Sequence, residues 1–76
     1  MNNNIIRERI IELAYDLDKE IRKNSETESA FARKNNRKKS NLNMLMTALK
    51  SGKGCRIQSI ISILEDLGKK IEIVDK

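Results

Sequence analysis

The sequence contains no histidine, proline or tryptophan, and it has one cysteine, one tyrosine and one phenylalanine. Histidine and cysteine supply most zinc ligands and many catalytic bases and nucleophiles, so we expect no enzyme, no metal site and no cofactor. A single cysteine also excludes a disulfide within the chain and is typical of a reducing compartment. Because proline is absent and only three glycines occur, the composition favours helices over a turn-rich β fold.

Long apolar runs are absent too, and none approaches the roughly 20 residues that a membrane span needs. Met1 leads within a few residues into a charged amphipathic stretch, so no signal peptide is visible. We therefore expect a cytoplasmic protein without a membrane contact. The 76 residues form one small domain, and such a chain buries only about 60% of its unfolded surface. A second copy is expected to supply part of its stability.

Acidic side chains are missing from residues 29–64, which carry eight lysines or arginines. The flanks are mildly acidic, with a net charge of −2 over residues 1–28 and −1 over residues 65–76. We call residues 29–64 the basic segment. Such a segment repels itself, and nucleic acid is its most common partner. The alternative is a solvated surface, although surfaces usually mix both signs.

Helical periodicity is what the sequence does contain. Apolar residues at steps of four and three predict a first helix over about residues 5–23, with the stripe Ile6, Ile10, Leu13, Leu17 and Ile21. Tyr15 lies beside this stripe and would contact a neighbouring helix or a second subunit.

A second, short helix is predicted over about residues 26–35. Ser25 and Glu28 have the spacing of a capping box at its start. Asn35 and Asn36 would end it, because asparagine tolerates the left-handed backbone conformation.

Two more helices and a strand are predicted to follow. The third helix covers about residues 40–51, begins at a cap on Ser40 or Asn41, and has the apolar face Leu42, Leu45, Met46 and Leu49. The fourth covers about residues 56–67, ends at Gly68, and has the apolar face Ile57, Ile60, Ile61, Leu64 and Leu67. Ile71 and Ile73 alternate with charged residues and predict a strand over about residues 70–74. A lone strand needs a partner, for which its symmetry mate in a dimer is a candidate.

The outer face of the third helix carries short hydrogen-bonding side chains and no carboxylate. At 100° per residue, Ser40, Asn43 and Thr47 lie opposite the apolar face, with Lys39 and Lys50 towards the two ends. Asparagine pairs with adenine, serine and threonine donate and accept, and lysine meets guanine or phosphate. This combination is typical of a helix that reads DNA; the alternative is a neutral helix surface.

With the short helix before it, the third helix makes a helix-turn-helix. Ala-Phe-Ala-Arg-Lys-Asn-Asn at 30–36 and Ser-Asn-Leu-Asn-Met-Leu at 40–45 resemble the helix-turn-helix of the lambda-repressor and Cro superfamily. Residues 49–54 and 60–73 are similar to the second half of HigA-like antitoxins and addiction-module antidote proteins, where a leucine-x-x-leucine-glycine ending leads into a short hydrophobic strand. The resemblance covers about residues 26–74.

The sequence departs from the family at two positions of the turn. Asn36 stands where glycine is usual, and Arg37 stands where an apolar residue is usual. Cys55 and Arg56 also replace the proline often found after the glycine-lysine-glycine run. These changes bear on which side chain meets which base.

The resemblance implies an all-α, four-helix, lambda-repressor-like helix-turn-helix domain with a short C-terminal β-strand. It implies a homodimer that binds double-stranded DNA, as a repressor or an antitoxin-type autoregulator, with a cognate toxin as a possible partner. Candidates for contacts with base edges are Ser40, Asn41, Asn43, Met44 and Thr47. Candidates for contacts with phosphates are Arg33, Lys34, Arg37, Lys38, Lys39, Lys50 and Lys53. We expect the dimer contact at Tyr15, Ile71 and Ile73.

The alternative function comes from another class, a protein-interaction module such as a phage or plasmid inhibitor built on a helix-turn-helix shell. RNA is a third candidate partner, but few aromatic side chains are present for the base stacking of single-strand readout. For Met44 and Met46, packing is favoured over base reading. Cys55 is interpreted as a small residue near a helix start, with a reactive thiolate as the alternative.

Overall fold

The computed structural model describes residues 3–75, and α-helices are the regular secondary structure of this part of the chain. Its elements are α1 (Asn3–Ser25), α2 (Glu28–Lys34), α3 (Lys39–Lys50) and α4 (Ile57–Leu67). All four predicted helices are therefore present, and their ends differ from the predicted ones by at most two residues. None of them combines the length and apolar character that crossing a bilayer demands.

The hydrophobic core lies where the second half of α1 meets α2 and α3, with α4 closing one side. Phe31 of α2 is 1% exposed and Met46 of α3 is 1% exposed, so packing is confirmed for this methionine. The other buried members are Ala14, Leu17, Ile21, Ala32, Leu42, Leu49, Ile60 and Ile63. Burying a large apolar side chain stabilises the fold by roughly 1.5–3 kcal/mol, and this cluster fixes the packing of α2 against α3.

The predicted stripe of α1 is buried in its second half only. Leu17 and Ile21 are 2% and 0% exposed, whereas Ile6 and Leu13 are 43% and 39% exposed, and Ala14 is buried instead. The physical reason is length. A helix of 23 residues extends for roughly 35 Å at 1.5 Å per residue, which is longer than the short helices that cover it.

The start of α2 differs from the predicted capping box. Thr27 is the N-cap residue, and its hydroxyl oxygen accepts a hydrogen bond of 3.0 Å from the N–H of Ala30. Ser25 ends α1 instead, and Glu26 adopts a left-handed conformation with φ of 64°. The capping box was wrong because α1 continues through Ser25, so the threonine two residues later becomes the first available cap.

The start of α3 also differs from prediction. Its N-cap residue is Lys38, without a side-chain cap hydrogen bond. Ser40 and Asn41 therefore lie inside the first turn of α3 rather than before it. Neither side chain caps α3, so the hydrogen-bonding groups of both are not used for that purpose.

The ends of α2 and α3 share one motif. Asn36 and Gly52 adopt left-handed conformations, with φ of 57° and 83°. The N–H of the next residue, Arg37 or Lys53, donates to a carbonyl five residues back, at 2.7 Å and 3.0 Å. This pattern satisfies the last carbonyls of a helix. The predicted stop at Asn36 is confirmed, and this asparagine takes the left-handed conformation that ends α2.

Gly52 is also constrained by space. A Cβ atom at this position would collide with the side chain of Arg7 from α1. The end of α3 and the first half of α1 therefore approach each other closely at this glycine.

The apolar face of α4 is rotated from the predicted one. Ile60 and Ile63 are buried, whereas Ile57 and Ile61 are 63% and 44% exposed. Gly68 ends the helix as predicted, with φ of 70°. Residues 69–75 form neither helix nor strand, so the strand expected over residues 70–74 is not formed in the single chain. A strand needs a second one to satisfy its backbone, and no residue from 3 to 75 forms one.

Candidate nucleic-acid interface

The turn of residues 35–38 joins α2 to α3 and fixes what α3 presents to solvent. Leu42, Met46 and Leu49 point into the core, so the opposite side of α3 is outermost. The five predicted base-reading side chains are all exposed: Ser40, Asn41, Asn43, Met44 and Thr47. We call this set the reading face. It contains no ionisable side chain, and α3 contains no carboxylate.

Met44 lies on the reading face rather than in the core. It is 70% exposed, so the packing interpretation is wrong for this residue. A methionine this exposed leaves an unbranched apolar side chain available for contact with a partner.

Five of the predicted phosphate contacts are exposed and form no ion pair within the described residues. They are Arg33, Lys34, Lys38, Lys39 and Lys53. Arg33 and Lys34 end α2, while Lys38 and Lys39 begin α3. Because no carboxylate of the described chain neutralises them, these charges remain available to an anion.

Lys50 is held within the fold. Its Nζ lies 3.3 Å from Oδ1 of Asp18 and 5.4 Å from the centre of the Tyr15 ring. Both contacts come from α1, and the second has the geometry of a cation–π interaction. Tyr15, which was predicted as a dimer contact, is 56% exposed, and its ring lies beside Lys50 of the same chain.

Arg37 is held within the fold as well. Its Nε donates to Oδ2 of Asp66 at 2.5 Å, and its Nη2 donates to Oγ of Ser62 at 2.6 Å. Both partners lie on α4. No local sequence pattern indicates these contacts, because they join positions 29 and 25 residues apart. We call these three residues the Arg37 bridge.

The structure has a polar groove of roughly 630 Å³. The turn and the first half of α3 form one side of it, and α4 forms the other. Asn36 and Asn41 line one side, and Gln58 and Ser59 line the other. Sequence reasoning did not single out the α4 residues. Their signal was the position of Gln58, Ser62 and Asp66 at four-residue steps, which places polar side chains on one side of a helix rich in isoleucine.

A second groove, of roughly 280 Å³, is apolar and lies on another part of the surface. Its apolar side chains come from α1, α3, α4 and the C-terminal tail, and they are Ile10, Leu13, Leu49, Ile57, Ile60 and Ile71. We call it the apolar groove. Ile71 is thus brought together with α1 and α4, whereas Ile73 stands fully in solvent at 101% exposure.

Cys55 also lines the apolar groove. Desolvation by partial burial raises the pKa of its thiol above the ordinary value. An activated thiolate requires a lowered pKa, so the alternative interpretation of this cysteine as a reactive group gains no support. Within residues 3–75, no group of three or more Cys, Asp or Glu side chains is arranged to hold a metal ion.

No protein-family model, no curated protein and no solved structure matches this chain. The features of the molecule that bear on its function are therefore the reading face, the exposed cations around it and the two grooves.

Proposed function

We propose that the protein is a sequence-specific, double-stranded-DNA-binding transcription regulator, acting as a dimeric repressor or an antitoxin-type autoregulator in the cytoplasm. One observation carries the proposal. The reading face of α3 is exposed and uncharged, and the free cations Lys38 and Lys39 lie at its start with Arg33 and Lys34 before the turn. Cations that meet phosphate supply affinity and orientation, while uncharged polar side chains supply sequence discrimination.

In the proposed complex, α3 enters the major groove with its first turn towards the bases. Ser40 and Asn41 lie in that turn, which is where recognition helices contact base edges. Asn43 has the amide that forms paired hydrogen bonds with adenine, and Thr47 has a methyl group suited to that of thymine. The N-terminal end of α3 has no side-chain cap, and its positive dipole end favours a nearby phosphate.

A second copy of the chain completes the proposal. Two reading faces related by a two-fold axis would lie about 34–36 Å apart, in successive major grooves. Ile57, Ile71 and Ile73 are exposed at 63%, 48% and 101%, and burying apolar surface of this kind drives association. Pairing of two tails would also give residues 70–74 the strand partner that the single chain lacks. Occlusion of a promoter by the bound dimer would repress transcription.

A protein-interaction module remains the second candidate, because the apolar groove is also suited to a different protein. Ile57 on its rim is 63% exposed, and exposed apolar surface of this kind marks interaction sites. A cognate toxin would be one such partner. In that case the basic segment would bind an acidic protein surface rather than DNA.

Selection of bound duplexes from a random pool tests the proposal. We expect enrichment of a two-fold symmetric sequence whose half-sites are one helical turn apart, or about 10 base pairs. Duplex binding without sequence enrichment would contradict the specific-regulator proposal. Failure to bind any duplex, together with a defined complex with an acidic protein, would favour the interaction module.

A further inference from the structure

The fourth helix is loosely attached on one side. Among the described helices, α1 packs against all three others, whereas the backbone of α4 comes close to that of α1 only. The polar groove separates α4 from the turn and from the first half of α3. Ile60 and Ile63 hold α4 in the core, and side chains that reach across this groove connect α4 to the turn.

The Arg37 bridge reaches across it. Ser62 and Asp66 are one turn apart on α4, so both face the same way, and the guanidinium meets them with two different nitrogens at 2.6 Å and 2.5 Å. Arginine holds two partners in a fixed planar geometry, which a single point charge does not. The side chains of Arg37 and Asp66 are only 22% and 28% exposed, so solvent screens this pair less than a surface pair.

Arg37 is also fixed at its backbone. Its N–H donates to the carbonyl of Ala32 at 2.7 Å in the motif that ends α2. The residue thus connects the end of α2, the turn before α3 and the second half of α4. A phosphate that took the Nε donor of Arg37 would leave the partly buried carboxylate of Asp66 without its cation.

We infer that Arg37 is a positioning residue, which sets the orientation of α4 against the turn and α3 instead of contacting phosphate. The inference rests on the proposed DNA-binding function, since the DNA backbone would meet α4, the turn and α3 in this relative orientation.

The test compares Arg37→Gln and Asp66→Asn with matched neighbours. Lys38→Gln removes an adjacent, unpaired cation, and Glu65→Gln removes an adjacent, exposed carboxylate. The affinity of each variant for the selected duplex is measured over a range of salt concentrations. Arg37→Gln and Asp66→Asn are both expected to weaken binding, by about tenfold each, without changing the slope of log K against log salt. Lys38→Gln should reduce that slope by about 0.9, which is the value for one phosphate contact. Glu65→Gln should leave the affinity for the duplex unchanged.

Two further variants separate positioning from general loss of structure. The double variant Arg37→Gln/Asp66→Asn should bind no more weakly than either single variant, because the two changes remove one interaction. The exchanged pair Arg37→Asp/Asp66→Arg should recover part of the lost affinity. A slope reduced by about 0.9 in Arg37→Gln, with unchanged or stronger binding in Asp66→Asn, would identify a phosphate contact and overturn the inference.

Hydrogen exchange in the free protein tests the Arg37 bridge independently of DNA binding. If the native chain binds no duplex, the DNA-binding proposal fails, while the bridge is still judged by the amides of α4 and of the turn. Faster exchange there in Asp66→Asn than in Glu65→Gln supports the bridge. Equal exchange in the two variants would overturn it.

Discussion

Two exposed surfaces of this molecule differ in their chemistry. Around α2, the turn and α3, the surface is polar and positive, and its large apolar side chains are turned inward except for Met44, which is 70% exposed. Around the apolar groove, isoleucines of α4 and the tail face solvent beside Leu13 of α1. A domain this small has more apolar side chains than one core can bury. Most of its exposed apolar side chains lie on α1, α4 and the C-terminal tail, away from the reading face. If the proposed function holds, the separation would let duplex DNA bind one surface while a second copy of the chain binds the other.

The largest expected effect comes from removing apolar side chains of the tail. Ile71→Ser/Ile73→Ser should weaken dimerisation by roughly 4 kcal/mol, or about a thousandfold, because each copy loses two isoleucines from the interface. Lys70→Ser/Glu72→Ser changes the same segment without removing isoleucine and should leave the dimer nearly intact. Sedimentation equilibrium measures both, and an unchanged dimer in the first variant would assign the apolar groove to a different partner.

The next effect concerns the positive surface. Lys38→Gln/Lys39→Gln should weaken duplex binding by roughly 3 kcal/mol, about a hundredfold, and should reduce the salt slope by about 1.8 for two phosphate contacts. Lys19→Gln/Lys23→Gln removes the same charge from exposed positions of α1 and serves as the control. Equal losses in the two variants would mean that net charge matters and the position of the cations does not.

A smaller effect is expected on the reading face itself. Asn43→Ala should reduce discrimination at one base pair by about 1–3 kcal/mol, since a bidentate contact is lost. Asn24→Ala, at an exposed position of α1, should leave discrimination as it was. Competition between the selected duplex and its single-base variants gives the measurement. Unaltered discrimination in Asn43→Ala would show that another side of α3 meets the bases.

The smallest expected effect lies outside both surfaces. Glu26 adopts φ of 64° between α1 and α2, a conformation that costs a residue with a Cβ about 1 kcal/mol. Glu26→Gly should therefore raise the free energy of unfolding by about 0.5–1 kcal/mol, while Glu26→Ala, which keeps the Cβ, should not. Thermal unfolding reports the difference. Duplex and dimer affinities should remain those of the native chain, and a change in either would link this junction to one of the surfaces.

Local patterns predicted the elements of this fold better than they predicted its surfaces. Apolar periodicity located all four helices, and the asparagine stop at Asn36 was confirmed. The same periodicity placed Leu13 in the core, where Ala14 lies instead, and overlooked Ile63. Periodicity defines a side of a helix, but whether that side is covered depends on the lengths of its neighbours.

The candidate interface shows the same division. The exposure of Ser40, Asn43 and Thr47 agrees with their position opposite the apolar side of α3. The partners of Arg37 and Lys50 were not predictable from spacing, because Asp66 and Asp18 reach them through tertiary packing alone. A run of basic residues in sequence therefore overstates the number of cations that are free to meet an anion.

The close approach of Arg7 to Gly52 offers a route by which binding at one surface would affect binding at the other. It joins the end of α3 to the half of α1 that borders the apolar groove, and α1 continues as one helix into the core beneath α2 and α3. A partner that shifts α1 would therefore shift the helix that carries the reading face. For the proposed dimer and duplex, thermodynamic reciprocity would then apply: any factor by which dimerisation altered the affinity for DNA would be the factor by which DNA altered dimerisation.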